Sequence, residues 1–283
     1  RKVIPSFLTR VDRPDRGLAW SAYFEQTREA TDELVRGIFD DEAVEAAPSV
    51  VLSDFDPEGE DKVLAAICYP HVDLPDDQVL ARVRRMATDE RVALLRAYVG
   101  ERDNRRHRPG RAFERTDYRF DVLVDYGAFR DLQRHRMLTI EWQPLSPRHG
   151  YDVPVAIEEA GLRTRFEDAM ARSSELYDAL VPELPLEAPY AVSLAYRIRF
   201  VMQMNAREAM HVLELRSSPQ GHPSYRRVCQ DMHRLIAERA GHRALAAAMS
   251  HVDHGDHDLE RLAAERAAEA RRRDSIAGRL AGG

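Results

Sequence analysis

The segment YRFDVLVD at 118–125 alternates apolar and polar residues, which puts Tyr118, Phe120, Val122 and Val124 on one face of an extended chain. Such a period of two is a half-buried strand and excludes an all-helical fold. The stretch YGAFRDLQRHR that follows reads as a helix running on from it. Helical periodicity predicts further helices at 76–86, 89–99, 160–181, 190–216 and 223–240, so the class is α+β. A short apolar run at 50–52 precedes the acidic loop DFDPEGEDK. Phe24, Thr27, Leu34, Val35 and Ile38 mark a helix within the first forty residues, after a turn signal at Arg13-Pro14-Asp15.

At 283 residues and 44% hydrophobic content the chain can bury a sizeable core. Its 42 basic and 48 acidic residues give a net charge of -6, so any anion site has to be local rather than a property of the whole surface. Cys68 and Cys229 are too few and too far apart for a disulfide scaffold or a zinc ribbon, and they fit a reducing cytoplasm. No apolar run approaches the ~18 residues of a membrane span, and the basic start lacks a signal-peptide core. The expectation is a soluble, cytoplasmic protein with neither membrane nor nucleic-acid partners. The final stretch ERLAAERAAEARRRDS predicts a charged helix with a thin apolar stripe.

Chemistry concentrates in three segments. Arg134, His135 and Arg136 crowd three potential cations at the end of a helix, where they either offset the macrodipole or hold an anion. Ser146 and Arg148 downstream supply a hydroxyl and a planar guanidinium fork of the kind that holds phosphate oxygens. Six arginines fall within 101–115, either a solvated basic loop, a nonspecific nucleic-acid patch or a site. On a helix spanning 190–216, Gln203, Arg207, His211 and Glu214 form one polar stripe, while Asn205 and Arg216 fall within ~20° of each other on the apolar side. There both need a protein partner or a ligand. The run HVDHGDHD at 251–258 reads as solvated imidazoles, and no metal site is expected. Neither a Walker loop nor a Gly-x-Gly-x-x-Gly is present.

In combination these segments resemble the flavin-dependent thymidylate synthases. RHRMLTIEWQPLSPRH resembles that family's RHR followed by Ser-x-Arg, with Arg134, His135, Arg136, Ser146 and Arg148 in matching positions once two residues are inserted. Glu114 in AFERTDYRF stands where the family has the Glu of Phe-Glu-His, and Arg115 replaces the His. NAREAMHVLELR resembles the family's Asn-x-Arg followed by Leu-x-Leu-Arg, through Asn205, Arg207, His211 and Arg216. His222 falls near a later family His. Three positions depart from the pattern: Asp131 replaces a Gln, Pro144 falls where the family has a Glu, and Pro189 replaces an Arg.

The resemblance implies a mixed or antiparallel sheet flanked by long helices. It implies reductive methylation of dUMP to dTMP, with FAD as cofactor and NADPH and methylenetetrahydrofolate as co-substrates. It assigns Glu114, Arg134, His135, Arg136, Asn205, Arg207, His211 and His222 to the flavin, and Ser146, Arg148 and Arg216 to the nucleotide, with Ser146 and Arg216 nearest the reaction. The departures leave open a homologue that binds flavin or nucleotide without synthase activity, or one that methylates another pyrimidine. A homotetramer-like assembly is implied as well. VIPSFLTRVD at 3–12 resembles ALAAAMSHVD at 244–253, so a tandem unit is expected: a helical segment at 1–45 ending a preceding copy, the main domain at 46–245 and a charged helix at 246–283.

Overall fold

The computed structural model describes residues 3–256, apart from 10, 12, 40, 41 and 44, together with 265–267, 269, 270, 272 and 273. The chain divides into two units at Ala47 and Pro48. The first holds α1 (Pro5–Leu8) and α2 (Leu18–Phe39). No residue of α2 is buried, although Trp20, Phe24, Leu34 and Ile38 are among its side chains.

The second unit runs β1 (Val50–Phe55), α3 (Gly59–Cys68), α4 (Asp76–Val83), α5 (Thr88–Val99), β2 (Asp117–Asp125) and α6 (Tyr126–Leu132). It continues with β3 (Thr139–Trp142), α7 (Val155–Glu159), α8 (Arg163–Leu180), β4 (Arg197–Asn205), α9 (Ala206–Arg216), α10 (Pro223–Glu238) and α11 (Arg243–Ala248). The four strands form one antiparallel sheet in the order β1-β2-β4-β3, which makes the class α+β. Most of the charged helix expected near the C-terminus lies outside the described residues. No helix among the described residues is long and apolar enough to cross a membrane.

Tyr118, Phe120 and Val122 of β2 are fully buried, as the alternation of that strand requires. Beside them on β4 lie Ile198, Phe200, Met202 and Met204, in a register that sets Phe120 opposite Met202. Cys229, Met232 and Ile236 of α10 and Met210 and Leu213 of α9 cover this face. Burial pushes the Cys229 thiol up to about 12, so it is an inert core residue.

Two expected helices are corrected. The segment 190–216 is not one helix: residues 197–205 form a strand, and the helix starts only at Ala206. Alternate side chains of RIRFVMQM enter the core, and β4 bonds to β2 on one side and β3 on the other, so sheet pairing decides the conformation. The polar stripe drawn through Gln203 therefore does not exist. Asn205 caps α9, its side-chain oxygen accepting from the Glu208 amide at 2.9 Å. Likewise α6 ends at Leu132, leaving 134–136 in the turn beyond it.

Candidate functional site

The junction of β4 and α9 builds the site. Because β4 ends against β2 at Asn205, the first turn of α9 lies over the 3-10 turn Arg111–Arg115 and the chain just before it. Arg207 donates through Nε to the Pro109 carbonyl at 3.0 Å, and its Nη1 lies 3.6 Å from Glu114. Glu114 also accepts two bonds from Arg111, at 3.0 and 2.9 Å.

One turn further along α9, Glu208 and His211 meet His135 from the segment after α6. The His135 ring is only 8% exposed, lies 5.4 Å from the His211 ring in an edge-on arrangement, and places Nδ1 3.6 Å from Glu208. Arg216, at the end of α9, donates through Nε to His135 Nε2 at 3.0 Å. Its other nitrogens bond Asp131, to the carboxylate at 3.3 Å and to the backbone carbonyl at 2.7 Å, and its guanidinium lies 5.5 Å from the centre of the Tyr225 ring. The partner that Arg216 requires is thus inside the chain.

Bond donors fix the histidine tautomers. A guanidinium can only donate, so Arg216 requires a lone pair on His135 Nε2 and leaves the proton on Nδ1, facing Glu208. Arg108 does the same at His211, 2.9 Å from Nδ1. Burial is the largest cause holding His211 below its ordinary value, with Arg108, His135 and Arg105 adding to it and Glu208 opposing. His135, Glu208 and His211 are close enough to hold a metal ion. With the proton on His135 Nδ1, that nitrogen would have to lose it before it could bind a metal.

The other expected residues separate into those near this cluster and those away from it. Arg134 is exposed and lies 3.7 Å from Asp131, while Arg136 is exposed. His222 caps α10, accepting from the Ser224 amide at 3.3 Å, and its ring lies 6.4 Å from that of Tyr225 in a tilted arrangement. Ser146 is buried and bonds the Arg148 amide, and the Arg148 side chain makes no hydrogen bond or ion pair among the described residues. Neither touches the His135 cluster. The cluster lines neither of two cavities, one of ≈ 910 Å³ beside α5 and α11 and one of ≈ 220 Å³ at the ends of β1 and β2. His254 Nε2 lies 2.9 Å from His233 Nδ1, and His257 lies outside the described residues.

Sequence reasoning missed Glu208, Arg108 and the partnership of Asp131 with Arg216. Glu208 stands three residues before His211, on the same helix face, and that spacing was the available signal. Nothing local links Asp131 or Arg108 to α9.

A family profile described as Thy1, thymidylate synthase complementing protein, matches residues 50–241. The chain is 37% identical over 265 residues to a UPF0159 protein of Chlamydia pneumoniae, covering 92% of this chain and 49% of that protein. A UPF0159 protein of Thermoplasma acidophilum is 38% identical over 206 residues, covering 72% of this chain and 41% of its own. The chain therefore spans about half the length of the curated relatives it matches. Its fold is similar to that of the UMP/dUMP methylase PolB from Streptomyces cacaoi, solved with 5-Br dUMP, with a TM-score of 0.55 and 19% identity over 72% of this chain and 96% of that one. With the profile covering β1 to the end of α10, the chain belongs to the Thy1 family of thymidylate synthase complementing proteins.

Proposed function

We propose that the protein methylates dUMP reductively to dTMP, with FAD as cofactor and NADPH and methylenetetrahydrofolate as co-substrates. The observation that carries this reading is the meeting of His135 and Arg216 with His211 and Glu208, drawn from the two segments that resemble the flavin-dependent thymidylate synthases. The donors open to an anionic dinucleotide are His211, whose Nε2–H is left when Arg108 holds Nδ1, and Arg136, which has no carboxylate partner among the described residues. Glu114, Arg134, His135, Arg136, Asn205, Arg207, His211 and His222 would hold it. A flavin bound there supplies two-electron transfer, with electrons from NADPH and the one-carbon unit from the folate.

The chain's own part is positioning. Asn205 and Arg207 fix the start of α9 to the cap and to Pro109, which sets where His211 stands. Ser146 and Arg148 would take the nucleotide's polar groups. Arg216 would share itself between the base and His135. A tetramer-like assembly belongs to the same reading.

The test is direct. The purified protein is expected to take up FAD, show a yellow chromophore, and oxidise NADPH only with dUMP and methylenetetrahydrofolate present. No FAD uptake would sink the flavin reading. FAD uptake without dUMP-dependent turnover supports a second reading, a homologue that binds flavin or nucleotide without the synthase reaction. The occupation of Arg216 by Asp131 favours that second reading. UMP belongs in the same assay, since the protein of similar fold is a UMP/dUMP methylase.

A further inference from the structure

The arginine-rich loop 101–111 is built rather than loose. Arg102 reaches under it as a buried fork, its side chain 2% exposed, bonding both oxygens of Glu214 on α9 at 2.6 and 2.7 Å and the Ala248 carbonyl at 3.0 Å. The same guanidinium donates through Nε to the His107 carbonyl. On the other side of Arg108, Arg207 holds the Pro109 carbonyl at 3.0 Å. Asn104 accepts from the Arg106 amide at 2.9 Å and closes the turn. Both peptide carbonyls flanking Arg108 are therefore anchored, and its side chain is presented to His211 at 2.9 Å.

Charge is unbalanced at this point. Arg105, Arg106 and Arg108 form no ion pair among the described residues. Of the acids nearby, Glu114 pairs with Arg111 and Arg207, Asp131 with Arg216 and Glu208 with His135, while Glu101 and Asp103 of the loop itself are exposed to solvent. Arg105 and Arg108 also both act on the half-buried His211 ring. Guanidinium groups gathered near one imidazole on an anchored loop make a local positive field that an anion can share. Planar forks in this setting select phosphate oxygens over a point-like anion.

We propose that Arg105 and Arg108 form a phosphate clamp, which takes the phosphate groups of a nucleotide ligand between the 101–111 loop and His211 of α9. The proposal rests on the reading of the His135 cluster as a nucleotide site, and it adds loop residues that no matching motif assigns. The phosphates come either from the diphosphate of the dinucleotide cofactor or from the monophosphate of the pyrimidine substrate.

The experiment compares the wild type with R108Q, R108K and the double variant R105Q/R108Q, all at exposed or half-exposed positions. Binding of inorganic pyrophosphate, FAD and dUMP is followed by calorimetry at fixed salt, with thermal melting to confirm folding. In the double variant, affinity is expected to fall roughly ten- to hundredfold, and R108K is expected to lie in between because it keeps the charge and loses the fork. Parallel losses for pyrophosphate and FAD support the clamp and assign it to the cofactor. A loss confined to dUMP supports it and assigns it to the substrate. Unchanged affinity for all three overturns it, and a fourth titration with a single-stranded oligonucleotide that alone weakens would make the loop a nonspecific nucleic-acid patch instead. If the wild type takes up no FAD, the flavin reading fails separately, and the pyrophosphate and dUMP arms still decide the clamp.

Discussion

Arg216 donates through Nε to His135 Nε2 at 3.0 Å while Asp131 takes the far side of the same guanidinium. One cation thereby sets the tautomer of a buried imidazole and is itself held by an acid. Asp131 stands where the resembling family has a Gln, so this latch follows from a departure in the sequence.

Asp131→Gln keeps a side-chain oxygen for Arg216 and removes a negative charge beside the proposed nucleotide site. The expected result is a three- to tenfold fall in the dUMP dissociation constant, about 1 kcal/mol by the usual conversion. Calorimetric titration of both forms reads this directly, and weaker binding in the variant would count against the latch.

His211, His233 and His242 are all held below their ordinary value, in each case chiefly by burial. The folded state therefore binds fewer protons than the unfolded chain in the range just below pH 6.5, and stability falls as pH drops through it. Melting temperature is expected to decrease steadily from pH 7 towards pH 5. His242, bonded to the Tyr118 hydroxyl at 2.8 Å, gives the sharpest check: His242→Gln should flatten that slope even where it lowers the melting temperature overall. A slope unchanged in the variant would remove His242 from the account.

Arg102 and Glu214 are both nearly inaccessible, at 2% and 1% side-chain exposure. Arg102→Met leaves the Glu214 carboxylate buried with the His251 amide, at 3.3 Å, as its remaining hydrogen-bond donor among the described residues. A loss of about 3–5 kcal/mol is expected in urea unfolding, and the double variant R102M/E214M should recover much of it.

Because β4 is a strand, the cost of truncation along it should alternate. Phe200→Ala removes a ring packed 4.8 Å from Phe129 and is expected to cost about 3–5 kcal/mol, whereas Val201→Ala on the opposite, half-exposed face should cost about 1 kcal/mol or less. Equal costs at both positions would contradict the pairing with β2.

Local patterning in the sequence determined a good part of this protein. The alternation at 118–125 specified β2, helical periodicity specified α4, α5, α8 and α10 to within a few residues, and the RHR and Asn-x-Arg segments specified the family. Those signals are legible because solvent and core divide the side chains of a single element by its own period.

Only the tertiary structure decided β4 and the site. RIRFVMQMN runs into NAREAMHVLELR without a Gly or Pro, so its two halves look alike locally, and the hydrogen bonds of β2 and β3 separate strand from helix at Asn205. The closures of Asp131 on Arg216, Arg108 on His211 and Arg102 on Glu214 join segments distant in sequence. A charge carries no local record of its partner; its partner is whichever opposite group the packed sheet and helices bring within bonding distance.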